Sequence, residues 1–481
     1  MRKSLLVSLV VLVLLSSTSA QEYLQKYYPE TDPLALKQLE KWQDIKFGLL
    51  MHWGPYSQWG VVESWSICSE DEGWCRRRTP DYIEYKKQYE NLKRTFNPTK
   101  FDPEKWALAA KDAGMKYVVF TTKHHDGFSM FDTRQTDYRI TDPGCAFSAN
   151  PKANVTKEIF EAFRKQGFLV GAYFSKPDWH NENYWWPNFA TPDRNVNYDI
   201  KRYPERWQKF VEFTHNQIME LMTDYRRVDI LWLDGGWVRI KTDEEIREQL
   251  LSSRFATHPQ SQDIHMPDLV RKARVKQPGL IVVDRAVQGP YQNYLTPENQ
   301  IPGKLLPYPW ESCIIMGGGW SYSFNARYKS ARELVNMLVD IVAKGGNLLL
   351  NIAPSPQGTW DDEAYQRLQE LGAWMRTNGE AIYNTRPLAP YREGKIGYTQ
   401  LRDGTAYALY LASADEKTMP AEIRLASVTP ARNARVTLLG TNANLRWEKR
   451  GSDLFVFIPE PLQKNPPCAH AWAIKISALE K

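Results

Sequence analysis

Six short apolar runs alternate along the sequence with stretches of helical pattern. The runs cover residues 47–53, 117–123, 168–175, 229–234, 280–285 and 347–354. Between them, residues 103–114 and 155–167 place apolar side chains three and four positions apart, as amphipathic helices do. Near-continuous apolar strands that alternate with helices predict a parallel sheet covered on both faces.

Six such units within about 340 residues predict an α/β fold, a (β/α)8-like TIM barrel. A doubly wound open sheet is the alternative, but no glycine-rich dinucleotide fingerprint follows the first run. The polar, aperiodic segment 237–268 is interpreted as a long loop of the barrel.

The pattern changes after Pro387, where short alternating β-runs are separated by turn residues. They cover residues 407–413, 421–427, 434–440, 454–460 and 471–477. Such a series predicts a small C-terminal antiparallel β-sandwich. We therefore expect a barrel domain at residues 21–386 and a β-sandwich domain at residues 387–481.

Residues 1–20 predict a cleaved secretory signal peptide. Arg2 and Lys3 give a positive start, an apolar segment follows, and Thr18-Ser19-Ala20 provides small residues for cleavage. An anchoring helix is the alternative, but the apolar run is short for a bilayer. The protein is therefore expected to be exported to a periplasmic, secreted or lysosomal-type compartment, without a membrane span.

Composition excludes some classes of function. With 62 basic and 56 acidic residues and no basic run, the net charge of +6 does not favour nucleic-acid binding. The five cysteines are an odd number, so at least one is free or shared between chains. Cys68 and Cys75 lie in one loop and could form a disulfide in an oxidising compartment. The sequence does not predict the oligomeric state.

Polar and aromatic side chains occur at the carboxyl ends of the apolar runs. In a parallel barrel these ends lie on one face, where active sites are found. Core packing alone does not require polar residues there, so this face is the predicted site. The residues are His52, His124, His125, Tyr173, Asp234, Asp284, Arg285, Trp310 and Glu311.

The stretch DILWLDGGW raises the question of what chemistry such a site performs, because Asp234 follows a buried strand directly. A metal site is not favoured, since the adjacent His124 and His125 would point to opposite faces of a regular strand. Serine chemistry lacks a G-x-S-x-G elbow. Carboxylate chemistry remains, with a nucleophile and an acid/base. A helix cap or a tight turn is the structural alternative for Asp234.

Several motifs together resemble the α-L-fucosidases of glycoside hydrolase family 29. They are KFGLLMHWGPYS, FTTKHHDGFSMFDT, DILWLDGGW, and GGNLLLNIAPSPQG with NGEAIYNTRP. The likeness runs over about residues 40–390. It implies a (β/α)8-like barrel, a C-terminal β-sandwich, no required cofactor, and a retaining mechanism. The implied function is the removal of terminal α-L-fucose from glycans or glycoconjugates.

The resemblance places the nucleophile on Asp234. It locates the acid/base less well: Glu298 matches by its distance after Arg285, and Glu311 is its rival. The resemblance also implies a set of sugar-binding residues: His52, Glu63, Trp65, His124, His125, Tyr173, Trp232 and Arg285.

Two positions depart from the family pattern. An aromatic residue often found two places before His52 is Leu50 here, and one residue separates Glu63 from Trp65. Trp232 or Trp320 would suit the C5 methyl group of fucose. Two alternatives stay open: a fucose-binding protein without turnover, and a hydrolase of the related α-L-galactosides. Neither the linkage preference nor the aglycone is predicted.

Overall fold

The computed structural model describes residues 26–68, 77, 79–252, 259–426 and 428–480. The predicted signal peptide and Cys75 lie outside these residues, so both stay predictions. Across the described ranges, no helix combines the length and the apolar character needed to cross a membrane.

Seven parallel strands form the sheet of the larger part of the molecule. They are β1 (Phe47–Met51), β2 (Tyr117–Lys123), β3 (Leu169–Ser175), β4 (Ile230–Asp234), β5 (Ile281–Asp284), β6 (Glu311–Ile315) and β7 (Asn347–Asn351). Their order is β5-β4-β3-β2-β1-β7-β6. Almost all their residues are buried, because side chains face the barrel interior on one side and helices on the other. The predicted barrel class is confirmed.

An irregular segment takes the place of an eighth strand between the sheet edges β5 and β6. Asn293 N donates to Val282 O at 3.0 Å on the β5 side. On the β6 side, Glu311 N donates to Leu295 O at 2.8 Å, and Asn299 N donates to Cys313 O at 2.9 Å. The segment therefore runs between the two edges and carries Glu298 beside the strands.

Nine of the ten helices in the described residues belong to the barrel part. They are α1 (Pro33–Ile45), α2 (Tyr82–Glu90), α3 (Pro103–Asp112), α4 (Val155–Lys165), α5 (Pro204–Asp224), α6 (Asp243–Ser252), α7 (Met266–Lys276), α8 (Ala331–Ala343) and α9 (Asp362–Asn378), with α10 (Glu460–Lys464) near the C-terminus. Helix α4 shows why they form: Asn154 caps its first turn, and Ile159, Phe160 and Phe163 pack on the sheet. Truncating Phe160 to Ala would lower the free energy of unfolding by about 3–5 kcal/mol.

Two local expectations are wrong. Segment 237–268 is not one long loop, because it contains α6 and the start of α7. Glu311 does not follow a strand: it is the first residue of β6, so it lies at the opposite end of that strand from the site face. Strand β6 begins with polar residues and its apolar part comes only after them, so the sequence shows no unbroken apolar run here.

The C-terminal part contains two antiparallel sheets. Their strands are β8 (Arg386–Glu393), β9 (Ile396–Gln400), β10 (Ala406–Leu411), β11 (Glu422–Leu425), β12 (Val436–Leu438), β13 (Arg446–Arg450), β14 (Asp453–Phe457) and β15 (Ala471–Ile476). The sheet orders are β12-β15-β10-β9-β8 and β11-β14-β13. Ile423, Val456 and Ile474 share one core between them, which confirms the sandwich class.

The five-stranded sheet also contacts the barrel with its other face. Tyr407, Leu409 and Ala473 belong to the barrel's hydrophobic core, and Trp374 Nε1 of α9 donates to Ala471 O at 2.9 Å. Alternate residues of β10 therefore pack against different partners, as the two-residue period of a strand requires.

Candidate active site

A cavity of about 190 Å³ opens where the barrel strands end. All ten residues predicted for catalysis and sugar binding line it: Asp234, Glu298, His52, Glu63, Trp65, His124, His125, Tyr173, Trp232 and Arg285. Leu50 and Trp320 line it too. A larger cavity of about 970 Å³ lies between α2 and residues 185–192 but contains none of these side chains. The convergence of polar groups, and not the volume, identifies the candidate site.

Asp234 ends β4 with its carboxylate directed into the cavity and its side chain only 14% exposed. Its Oδ2 accepts from Tyr173 Oη at 2.7 Å, and its Oδ1 accepts from Gly235 N at 2.8 Å and from Arg285 at 3.1 Å. Burial alone would raise the pKa of Asp234, but the Arg285 charge and these hydrogen bonds hold it well below its usual range. Asp234 is therefore an ionised carboxylate that is largely withdrawn from water.

The turn after Asp234 depends on glycine. Gly235 has φ +87°, and a Cβ added there would lie 2.3 Å from Pro177 Cδ. Only glycine adopts this backbone without strain and without that clash. The glycine in DGGW thus places the Asp234 carboxylate against the loop that follows β3.

Arg285 joins the two candidate catalytic carboxylates. One terminal nitrogen of its guanidinium donates to Asp234 and the other donates to Glu298 Oε2. Glu298 Oε1 accepts from Trp320 Nε1 at 2.9 Å, and the Glu298 side chain is 42% exposed. Arg285 therefore pairs with two carboxylates, of which Asp234 is largely buried and Glu298 is accessible to solvent.

His124 and His125 both line the cavity, so the expectation that they point to opposite faces is wrong. Strand β2 ends at Lys123, and the two residues lie in the turn after it, where the alternation of a strand no longer applies. Their ring centroids are 4.2 Å apart. The argument against a metal that used this alternation therefore fails.

Donor atoms of His124, His125 and Asp234 lie within 4.8 Å of one another. The Arg285 charge beside Asp234 opposes a bound cation, because it already neutralises the one carboxylate of this group. The absence of a metal requirement stays a prediction.

The pocket histidines are neutral. Burial lowers the pKa of His52 to about 4 and that of His125 to about 3, and it lowers the pKa of His124 well below its usual range. Each Nδ1 has a partner: Asn351 Oδ1 at 2.9 Å from His52, Ser64 Oγ at 2.5 Å from His124, and Ser175 Oγ at 2.7 Å from His125. Each ring is thereby fixed in orientation.

Glu63 and Trp65 both reach the cavity despite the residue between them. Glu63 Oε1 accepts from Ser321 N at 2.6 Å, and burial together with the charges of Glu298 and Asp234 raises the pKa of Glu63 to about 8. The Trp65 ring packs edge-on to His125, with ring centroids 5.2 Å apart. Glu63 is thus a protonated acid near neutral pH, and Trp65 forms part of the cavity wall.

Glu311 is not among the residues that line the cavity. It is fully buried and accepts from Tyr117 Oη at 2.6 Å and from Trp232 Nε1 at 3.3 Å. Burial raises the pKa of Glu311 to about 7. Its contact with the cavity is indirect, through the Trp232 ring that it anchors.

Sequence reasoning missed three residues that line the cavity: Arg194, Trp237 and Cys313. The Arg194 guanidinium lies 4.7 Å from the Trp65 ring and 5.1 Å from the Trp237 ring. Trp237 is the last residue of the DILWLDGGW motif, and its position three residues after Asp234 could have predicted that it lies at the site. Cys313 lies in the unpredicted strand β6, and Arg194 lies in a loop whose path no local pattern indicates.

Comparisons with known proteins agree along the chain. The sequence profile of the family described as "Alpha-L-fucosidase" matches residues 14–380, and that of "Alpha-L-fucosidase C-terminal domain" matches residues 391–477. The plasma alpha-L-fucosidase of Homo sapiens is 28% identical over 479 residues, which covers 94% of this chain and 92% of that protein. The tissue alpha-L-fucosidase of Homo sapiens is 26% identical, covering 95% and 93%.

Solved structures give the same result. Alpha-L-fucosidase isoenzyme 1 from Paenibacillus thiaminolyticus superimposes with a TM-score of 0.72 at 28% identity, covering 93% of this chain and all 100% of that one. The Thermotoga maritima alpha-fucosidase in complex with fucose gives a TM-score of 0.69 at 26% identity, covering 94% and 100%.

Proposed function

The chain belongs to the alpha-L-fucosidase family, and we propose that it is an exported retaining exo-glycosidase with Asp234 as its nucleophile and Glu298 as its acid/base. The observation that carries the proposal is the shared cation: Arg285 contacts both carboxylates, while only Glu298 is open to solvent. Two carboxylates beside one small cavity are what double displacement at a sugar requires.

In the first step Asp234 attacks the anomeric carbon of the fucosyl residue. A bond forms between that carbon and a carboxylate oxygen, the glycosidic C–O bond breaks, and Glu298 gives its proton to the departing oxygen. Oδ2 is the better attacking atom, because it accepts one hydrogen bond whereas Oδ1 accepts two. The ionised state of Asp234 supports this role, since a protonated carboxyl is a poor nucleophile.

In the second step water hydrolyses the fucosyl-enzyme ester. Glu298, now deprotonated, removes a proton from the water, which attacks the anomeric carbon and releases Asp234. The exposure of Glu298 supports this assignment, because its carboxylate has access to water. Glu311 is a weaker candidate for this role, since it is buried beneath Trp232 and does not line the cavity.

The remaining residues of the cavity are proposed to bind a single terminal sugar. His52, His124 and His125, with Tyr173 and Arg285, face the hydroxyl groups and the anomeric centre. The C5 methyl group would lie against the apolar part of the wall, which consists of Leu50, Trp232, Cys313 and Trp320. A cavity of about 190 Å³ supports exo action, because it holds little more than one sugar ring.

The proposed substrates are fucosylated oligosaccharides and glycoprotein glycans, met after export through the signal peptide predicted at residues 1–20. Residues 21–386 are proposed as the catalytic domain and residues 387–481 as a sandwich that braces it. The packing of Tyr407 and Ala473 against the barrel core supports the bracing role.

Proton NMR during hydrolysis of nitrophenyl α-L-fucoside tests the mechanism. We expect α-fucose in the first seconds and β-fucose only later, through mutarotation. Early β-fucose would contradict the roles of Asp234 and Glu298. Binding of fucose without any turnover would favour a sugar-binding protein, and faster turnover of nitrophenyl α-L-galactoside would change the proposed substrate.

A further inference from the structure

His52 has one ring tautomer imposed on it by Asn351. The Asn351 amide nitrogen donates to Trp320 O at 2.9 Å and to Gly319 O at 3.4 Å. Both partners are carbonyl oxygens, which only accept, so the amide oxygen must be the atom that lies 2.9 Å from His52 Nδ1. That oxygen cannot donate, and His52 Nδ1 therefore carries the hydrogen.

His124 has the opposite tautomer imposed on it by Ser64. Ser64 Oγ accepts from Asp126 N at 2.8 Å and lies 2.5 Å from His124 Nδ1. Ser64 is fully buried, and among the described residues the His124 ring nitrogen is the acceptor available to its hydroxyl hydrogen. Ser64 therefore donates, and His124 Nδ1 carries no hydrogen.

The two rings consequently differ at the nitrogen left for the cavity. A neutral imidazole carries one hydrogen, so His52 presents a bare Nε2 and His124 presents Nε2–H. Burial keeps both rings neutral near pH 7 by lowering their pKa. The ring centroids are only 5.6 Å apart, so an acceptor and a donor lie side by side in the cavity wall.

We propose that Asn351 and Ser64 are positioning residues that fix opposite tautomers of His52 and His124, so that the sugar hydroxyl facing His52 must donate and the one facing His124 must accept. The use made of the tautomers rests on the proposed function, since it assumes that the cavity binds a sugar. The tautomers themselves do not depend on it. A sugar substituent that cannot donate to His52, or one that cannot accept from His124, would leave a buried ring nitrogen unsatisfied, which gives the pair a role in specificity.

Long-range ¹H–¹⁵N NMR of the ¹⁵N-histidine-labelled full chain tests the tautomers directly. The chain has 8 histidines, and signals that disappear in His52→Gln or His124→Gln identify each ring. We expect the Nδ1–H form for His52 and the Nε2–H form for His124. The same tautomer on both rings, or the reverse assignment, would overturn the proposal whether or not the protein hydrolyses fucosides.

Two variants serve as controls for each other. Ser64→Ala should release His124 into a mixture of tautomers and leave His52 unchanged, and Asn351→Ala should do the opposite. A purely structural role for either residue predicts instead that both rings change together, or that neither changes. Either of those results would overturn the positioning role, and the unmodified chain keeps its own test if Asn351→Ala fails to fold.

Sugar analogues test the specificity role. Deoxy and deoxyfluoro analogues of fucose at each ring hydroxyl are compared as competitive inhibitors, because fluorine accepts weakly but cannot donate. At the hydroxyl facing His52, both analogues should bind roughly tenfold more weakly than fucose. At the hydroxyl facing His124, the fluoro analogue should bind several-fold more tightly than the deoxy one. Equal behaviour of the analogue pairs at every position would overturn this role.

Discussion

Two buried carboxyl groups in the same barrel have pKa values that are shifted in opposite directions. Asp234, at the carboxyl end of β4, has the Arg285 guanidinium as a partner, and its pKa lies well below the usual range despite burial. Glu311, at the start of β6, has the neutral donors Tyr117 and Trp232, and burial raises its pKa to about 7. Both accept from aromatic side chains, so the largest difference between them is the charge of Arg285.

The comparison shows that burial near a site does not by itself give a carboxyl group a catalytic role. A cation preserves the charge of Asp234, whereas Glu311 has only neutral donors and its raised pKa favours the protonated form. Variants that alter either the charge or its partner test this distinction.

The largest effect is expected at Asp234. Asp234→Gly removes the nucleophile and should lower kcat by more than about 10³-fold, because no covalent intermediate can form. Added azide should restore turnover and yield β-fucosyl azide by direct displacement, identified by proton NMR. Asp234→Asn, which keeps the shape of the side chain, is the control and should be equally inactive. An Asn variant within tenfold of the unmodified enzyme would rule out the nucleophile role.

Glu298→Ala should have the next largest effect, and its size should depend on the leaving group. With a fucosylated disaccharide kcat/KM should fall roughly 10²–10⁴-fold, because no acid protonates the departing oxygen. With nitrophenyl fucoside the first step should be impaired less, and azide should give α-fucosyl azide from the covalent intermediate. Glu311→Gln is the matched control. If it reproduces this dependence and Glu298→Ala does not, the two roles are exchanged.

Arg285→Met removes the positive charge beside Asp234. The pKa of Asp234 should rise, so the acid limb of the kcat profile should move to higher pH. Stability contributed by a depressed carboxyl pKa is present above the unfolded pKa and is lost as pH falls through the folded one. Arg285→Met lacks that contribution and leaves the buried charge of Asp234 without its partner. Its free energy of unfolding in urea should therefore be lower by about 3–5 kcal/mol.

Arg285→Lys is the control for this prediction. It keeps a positive charge but cannot bridge two carboxylates with a planar fork, so it should show a smaller shift of the acid limb. An unchanged acid limb in Arg285→Met would mean that other groups hold Asp234 ionised. The hydrogen bonds from Tyr173 and Gly235 would then be the ones to remove.

The barrel could be predicted because most of its strands are unbroken apolar runs, and the bounds predicted for β2 are those observed. Strand β6 was not predicted because it begins with two buried polar residues, Glu311 and Ser312. The side chains that donate to Glu311 lie far away in sequence. Helix α6 was not predicted because it is largely charged and partly exposed, and it therefore lacks the apolar stripe of an amphipathic helix.

The candidate site was predictable where it depends on strand ends, since barrel geometry brings those ends to one face. Residues on long loops were not, because a loop's path is set by tertiary contacts such as the packing of Arg194 on Trp65. The orientation of His124 and His125 also required the structure, because it depends on β2 ending one residue before them.

The smallest effect on activity is expected at Glu311. Glu311→Gln mimics the protonated carboxyl, so it should change kcat only a few-fold while altering how stability depends on pH. Between pH 4.5, the ordinary pKa, and about 7, the unfolded chain releases this proton while the folded chain retains it. The raised pKa therefore makes the unmodified enzyme less stable as pH rises through that window, by about 3 kcal/mol.

Glutamine does not ionise, so the stability of Glu311→Gln relative to the unmodified enzyme should increase by about that amount from pH 4.5 to 7 in urea unfolding. Glu416→Gln is the control of opposite sign, because burial is outweighed by Lys395 and neighbouring hydrogen bonds, which lower the pKa of Glu416 to about 2. The stability that ionised Glu416 contributes is fully present above its unfolded pKa. The difference in free energy of unfolding between Glu416→Gln and the unmodified enzyme should therefore be constant over the same pH window. A constant difference for Glu311→Gln as well would mean that Glu311 is ionised in the folded protein, and the contrast with Asp234 would then not depend on the cation.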